Sequence, residues 1–352
     1  MKILFVTENL YPDVMGGSGR VVEETTKRLA AGGHKVNILC RQAGVLPLQS
    51  ESKGVAIRRY PAGANPFSTL KSISRALQSM PPPDIIIVCQ PFPALSVLAL
   101  PSFRSIPKVR DFYGPWHEEY RTKRLGLAHP PSSVRISIGA AIRRQVDVRT
   151  MTRMTGIRVL SEYTADMIRA MSPSCAGRIS LIPAGVDTDR FKPAGDKMAM
   201  RRQTGLPENR PILFTVRNLT PRMGLDRLID AMPAVRTAAP QALLIIGGEG
   251  PLRPVLESQI QRLGLEGQVR LAGRIPDDQL SKYYQAADLF VLPTLQLEGF
   301  GLVTLEAMAC GTPVLATPQG GTMEILRPFA AECLFNDVTA TAMAEKIIHA
   351  LA

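Results

Sequence analysis

The sequence predicts an α/β protein made of two doubly wound parallel-sheet domains. Three observations carry that prediction. Short apolar runs bounded by turn residues alternate with helical segments along the chain, the pattern of parallel sheets covered on both faces. The runs fall into two series, separated by "AGVDTDRFKPAGD" at 184–196, rich in Gly, Pro and Asp. At 352 residues the chain is long enough for two domains of ordinary size.

The first series of strands is expected at 2–7, 35–40, 55–60, 84–89, 107–113, 156–161 and 178–183, with helices at 19–31, 69–79 and 135–153 between some of them. The second is expected at 212–218, 242–247, 268–273, 289–294 and 313–317, again separated by helical segments. The expected organisation is a first domain over 1–186, a linker over 187–196 and a second domain over 197–352. In open parallel sheets ligands bind beyond the carboxyl ends of the strands. Two such domains facing each other would form a cleft, with the functional motifs just after strands.

Composition narrows the function. Hydrophobic residues at 45% and charged residues at 20% describe a soluble globular protein. The longest apolar runs, "IIIVC" (85–89) and "ALSVLAL" (94–100), are too short to span a bilayer. The N-terminus has no signal-peptide pattern, and the five cysteines are scattered without paired spacing. Both features point to a reduced, cytoplasmic setting. The net charge of +12 calls for an anionic partner. Residues 101–158 hold twelve Arg or Lys against four Asp or Glu, and "VRISIGAAIRRQVDVRTMTRM" mixes Ile and Val with Arg at roughly helical spacing. That pattern suits peripheral contact with an anionic membrane as well as a solvated basic face. Nucleic acid is disfavoured, because only 5% of residues are aromatic and none form a stacking run beside the basic ones.

After the first strand, "ENLYPDVMGGSGRVVEE" places Gly16, Gly17 and Gly19 before a helix. Glycines there admit close approach of a ligand, and a helix N-terminus favours phosphate. The loop is a poor dinucleotide fingerprint, since Val22 replaces the third glycine and Cys40-Arg41 end the second strand without an acid. "IIGGEGPL" (245–252) repeats the device, with Pro251 expected at a helix start. In "LEGFGLVTLEAMACGTPVLA" (297–316), a helix should begin near Gly301 and stop at Gly311 and Pro313. Glu298 then precedes the helix and Glu306 lies one to two turns inside it. The N–H groups of Phe300, Gly301, Leu302 and Val303 have no helical partner and point where an anion would sit. Carboxylates accept hydroxyls of a sugar diol but repel phosphate, so acids flanking an anion site suit a nucleotide sugar. As a helix-start pair, both acids would simply be solvated and favoured by the dipole. "DTD" at 187–189 is turn chemistry and the four histidines form no ligand-spaced set, so no metal is expected.

The stretch "EGFGLVTLEAMACGTPVLATPQGGTMEIL" resembles the donor-site signature of glycosyltransferase family 4, retaining enzymes with two Rossmann-like domains (the GT-B fold). "VRNLTPRMGLDRLIDAM", "IPAGVDTDRFKP", the N-terminal "MKILFVTENLYPDVMGGSGR" and "DFYGPWHEEYR" resemble further segments of that family, so the similarity covers nearly the whole chain. It implies that Glu306 holds the ribose hydroxyls. Glu298, with the backbone of Gly299, Phe300 and Gly301, would hold the transferred sugar. Leu302 and Val303 would offer N–H groups to the diphosphate. Gly16 and Gly17 would face the donor from the first domain, and the backbone of Arg274 and Ile275 would flank the base. No cofactor or metal is implied beyond the donor itself.

The chain departs from the family at several positions. Asn218 and Met223 stand where an Arg and a Lys usually meet the diphosphate. Arg222 is the expected substitute. Arg217 is the poorer one, as strand alternation would turn it to the opposite face. Tyr113 falls where the family often has His, leaving His117 with Glu298 as the candidate catalytic pair. The chain stops inside a predicted helix at Ala352, whereas family members usually continue with helices that return to the first domain, so that cover is expected to be missing. The expected activity is retaining transfer of a hexosyl-type group from a nucleotide sugar to a saccharide or lipid-linked acceptor. The alternatives are a catalytically silent nucleotide-sugar binder, a synthase or phosphorylase of the same fold, and, more weakly, a dehydrogenase.

Overall fold

A computed structural model describes residues 1–14, 16–126, 131–329 and 331–352. It forms two compact α/β units. The first comprises Met1–Tyr120 and Ser133–Pro183, the second Arg121–Ser132 and Ala184–Ala352.

The first unit's strands are β1 (Lys2–Val6), β2 (Lys35–Arg41), β3 (Gln49–Ser52), β4 (Val55–Tyr60), β5 (Ile85–Val88), β6 (Lys108–Phe112), β7 (Gly156–Val159) and β8 (Ile179–Leu181). They form one sheet in the order β3-β4-β2-β1-β5-β6-β7-β8. Its helices are α1 (Gly17–Ala31), α2 (Pro66–Gln78), α3 (Pro91–Ala99), the start of α4 (Trp116–Leu125), α5 (Ser133–Met151) and α6 (Glu162–Met171). The second unit carries β9 (Ile212–Val216), β10 (Leu243–Gly247), β11 (Val269–Gly273), β12 (Leu289–Leu292) and β13 (Val314–Ala316) in the order β11-β10-β9-β12-β13, all pairs parallel. Around them lie α7 (Lys197–Thr204), α8 (Leu225–Ala238), α9 (Arg253–Arg262), α10 (Asp277–Ala286), α11 (Leu302–Ala309), α12 (Thr322–Leu326) and α13 (Ala340–Leu351).

Alternate residues of the inner strands feed opposite cores, which is why these strands read as unbroken apolar runs. On β1, Leu4 and Val6 join one cluster and Ile3 and Phe5 the other. On β10, Leu244 and Ile246 face α8 and α13 residues, while Leu243 and Ile245 join the cluster holding Tyr284 and Phe290. Each sheet therefore reverses its strand order beside its first strand, between β1 and β5 and between β9 and β12. Such switch points open a crevice at the strands' carboxyl ends.

All twelve expected strands form. One more, β3, was not foreseen: "QSES" is polar and pairs antiparallel at the sheet edge with β4, so no apolar pattern marks it. Pro251 is not the helix start. Helix α9 begins at Arg253 with Pro254 in its first turn.

Candidate functional site

At the switch point of the second unit, the loops after β9 and β12 meet. Glu298 follows β12, and its side chain is buried and anchored at one oxygen only. Thr294 Oγ1 donates to Oε2 at 3.0 Å and Arg217 Nη2 donates to the same atom at 2.5 Å. Among the described residues Oε1 receives no hydrogen bond, so the acid is held from one side and offers an acceptor on the other. The Glu298 carbonyl accepts from Gly321 N–H at 2.9 Å. This latches the loop to the "PQGG" segment before α12. Gly320 has a φ of +63°, and a Cβ there would collide with that carbonyl.

Arg217, the poorer substitute on strand alternation, lies beside Glu298. β9 ends at Val216 and Arg217 follows directly. Its N–H donates to Gly247 O at 3.0 Å, and the side chain turns toward Glu298. Nη2 also contacts Thr294 Oγ1 (3.0 Å) and Met223 Sδ (2.9 Å). Asn218 is exposed and Met223 is buried. Arg222 is engaged elsewhere: its Nη1 donates to Leu297 O at 2.9 Å and its carbonyl accepts from Leu295 N–H at 2.9 Å. Leu297 has a φ of +57°, an unusual conformation for a leucine, and Arg222 helps to hold it.

Helix α11 starts at Leu302 with Gly301 as N-cap, at a φ of +96°. A Cβ at Gly301 would collide with Thr322 Oγ1, so α12 can pack this close only against glycine. Thr304 N–H turns back to Gly301 O (2.9 Å). The N–H groups of Leu302 and Val303 precede it in the first turn, where a helix supplies no internal acceptor. Phe300 is buried and Gly299 half-buried. One turn deeper, Glu306 is buried and its Oε2 accepts from Tyr284 OH at 2.8 Å. Tyr284, on α10 and stacked edge-on with Phe214 and Phe290, was not singled out from sequence. The nearby Cys310 thiol is pushed up to about 12, first by burial and then by the Glu306 charge. Ile275 is buried with its side chain against Gly247, and Arg274 before it is exposed.

The remaining expected residues lie in the first unit. Gly16 caps α1 and Gly17 begins it. Their loop is tied down by Asp13, whose carboxylate meets Arg59 of β4 at 2.7 Å with both side chains buried. At the β1–β5 switch point, Gln90 Oε1 accepts from Glu8 N–H (2.7 Å) and Thr7 Oγ1 (3.1 Å). Tyr113 is structural here: its hydroxyl donates to Asp111 Oδ2 (2.6 Å), which Arg158 also binds. His117 is buried in the first turn of α4, with Nε2 3.4 Å from Glu118. Asp147 of α5 fixes that turn, accepting from Trp116 N–H at 2.9 Å and facing the buried Arg110 at 3.5 Å. "DTD" forms a turn in which Asp187 Oδ1 accepts from the N–H groups of Asp189 and Arg190. His129 lies outside the described residues.

Comparison with known proteins decides the family. The profile of Glycosyltransferase Family 4 matches residues 15–190, half of the chain, and that of Glycosyl transferases group 1 matches residues 196–352. The chain belongs to glycosyltransferase family 4. A similar family 4 relative is the GDP-mannose-dependent alpha-(1-6)-phosphatidylinositol monomannoside mannosyltransferase of Mycolicibacterium smegmatis. It is 38% identical over 189 residues, covering 50% of this chain and 49% of the relative. The D-inositol 3-phosphate glycosyltransferase of Stackebrandtia nassauensis is 29% identical over 334 residues, 87% of this chain and 72% of that one. The chain thus spans only about half the length of the first of these. Among solved structures, the sucrose-phosphate synthase of Thermosynechococcus elongatus superposes with a TM-score of 0.80 at 23% identity, covering 100% of this chain and 90% of that one. This family 4 chain has the GT-B fold.

Proposed function

We propose that this family 4 chain transfers a hexosyl group from a nucleoside-diphosphate sugar to a saccharide or lipid-linked acceptor, with retention of configuration and without a metal. The observation that carries this is the grouping of two buried acids around the N-terminus of α11. Glu306 is set for the ribose diol, Glu298 for the sugar hydroxyls, and the N–H groups of Leu302 and Val303 for the diphosphate between them. In the transfer the bond from the anomeric carbon to the diphosphate breaks as the bond to the acceptor oxygen forms on the same face. The acceptor proton passes to the departing diphosphate. The protein's part is to orient the sugar and to stabilise charge on the leaving group. GDP-mannose is the first donor to try, because the mycobacterial relative is named for its dependence on it.

Incubation of the chain with GDP-mannose, UDP-glucose or ADP-glucose and a phosphoinositol glycoside, with chelator present, tests the reading. Transfer of the sugar supports it. Tight donor binding with no transfer or hydrolysis would support the silent binder instead.

The lipid-linked acceptor brings in the surface of α5. Val134, Ile138 and Ile142 recur every four residues and are 65%, 57% and 60% exposed, with Arg135, Arg144 and Arg149 exposed on the same helix. Among the described residues no helix is long and apolar enough to cross a membrane. An aliphatic row edged by arginines is suited to lying in an anionic lipid surface. Sedimentation with phosphatidylglycerol vesicles at low salt should carry the chain down, and much less so in high salt or with Ile138→Asp. Failure to bind at low salt would remove membrane docking from the account.

A further inference from the structure

We infer that Arg217 is the cation that meets the donor's diphosphate in this chain, in place of the two that positions 218 and 223 fail to supply. The inference rests on the donor-site reading above. A guanidinium has five N–H donors in a rigid fork that fits phosphoryl oxygens two at a time. All three contacts of Arg217 run through one nitrogen, Nη2. The side chain is only 8% exposed, yet its buried Nε has no hydrogen-bond partner among the described residues. A buried guanidinium N–H without an acceptor is costly unless a ligand completes it.

Its location fits the diphosphate. Arg217 lies at the β9–β12 switch point against Glu298, three residues ahead of the Gly301 cap whose helix presents the Leu302 and Val303 N–H groups. The neighbouring candidates are spoken for: Met223 packs in the core and Arg222 holds the Leu297 carbonyl. Without donor, Arg217 neutralises Glu298. With donor, Glu298 receives sugar hydroxyls at Oε1 while N–H groups of Arg217 that Glu298 does not engage take phosphoryl oxygens. The cation then stands one residue before position 218.

The test compares affinities for nucleoside diphosphate and monophosphate (GDP and GMP, or the pair whose base the native chain prefers), together with turnover, in Arg217→Gln, Arg217→Gln/Asn218→Arg and Arg217→Gln/Glu298→Gln. Arg217→Gln should weaken diphosphate binding about 10- to 100-fold and monophosphate binding far less, so the ratio collapses. Returning a cation at position 218 should restore part of the ratio, whereas removing the Glu298 charge should not. If Arg217 only neutralises Glu298, the outcome reverses: Arg217→Gln/Glu298→Gln recovers the native ratio and the cation at 218 does nothing. Should Arg217→Gln not fold, Arg217→Lys replaces it, with an intermediate ratio expected and an unchanged one overturning the inference. A native chain that binds no nucleotide of either kind overturns the donor-site reading itself.

Discussion

Arg217 and Glu298 stand 2.5 Å apart, Nη2 to Oε2, although 81 residues separate them in the chain. They meet where the strand order of the second sheet reverses. The contact uses one oxygen of the acid, so neutralising that acid should affect the sugar more than the nucleotide. Glu298→Gln is expected to abolish the difference in affinity between a nucleotide sugar and its free nucleoside diphosphate, leaving diphosphate binding within about fivefold of native, since a single neutral hydrogen bond is worth about 1 kcal/mol. Calorimetric titration of both ligands checks this.

Glu306 and Tyr284 form the second anchored acid. Glu306→Gln should weaken nucleotide binding about 10- to 100-fold, the value of hydrogen bonds to a charged acceptor. Tyr284→Phe should weaken it only a few-fold, because it releases the carboxylate from its seat without removing it. Equal losses in the two variants would contradict this assignment of roles. The same titration reads both.

Gly301→Ala should damage the site more than its backbone strain alone requires. Both Gly301 (φ +96°) and Gly264 (φ +59°) adopt left-handed conformations, but only at Gly301 would the new methyl collide, with Thr322 Oγ1. Each alanine should cost about 1 kcal/mol in backbone terms. Donor affinity should fall at least tenfold in Gly301→Ala and stay native in Gly264→Ala, measured beside urea midpoints for both.

Asp147 gives a pH signature. Burial raises its carboxyl from 3.8 to about 6, and Arg110 only partly offsets the shift. The folded state therefore holds this proton more tightly than the unfolded chain. The stability that protonation brings is present below about pH 4 and is lost as the pH rises to about 6. Asp147→Asn should flatten that part of the stability profile. Above pH 6, where the fold must hold an ionised carboxylate against its burial, the neutral amide should leave the chain at least as stable as native. Denaturant unfolding of both proteins between pH 4 and 8 measures this.

Much of this was legible in the sequence, for physical reasons. Strands buried on both faces must be apolar throughout, so β1, β9, β10 and β12 announce themselves, whereas the polar edge strand β3 does not. Glu298, Gly301 and Glu306 share one helix start and are visible as a local pattern. The contact of Arg217 with Glu298 was not legible, because it joins residues far apart in the chain. Tyr284 was hidden because an aromatic on an amphipathic helix looks like core. It is core, apart from one hydroxyl aimed at Glu306. Contacts that join residues distant in sequence, such as Asp147 with Arg110 or Asp13 with Arg59, have no local signature.

The central claim is that two acids and a helix N-terminus hold a nucleotide sugar. The most direct measurement is calorimetric titration of GDP-mannose, UDP-glucose and ADP-glucose, with chelator present, into the native chain and into Glu306→Gln. The account predicts saturable binding of one nucleotide class to the native chain, weakened at least tenfold in the variant. Binding that the variant leaves unchanged, or no binding to a folded native chain, would contradict it.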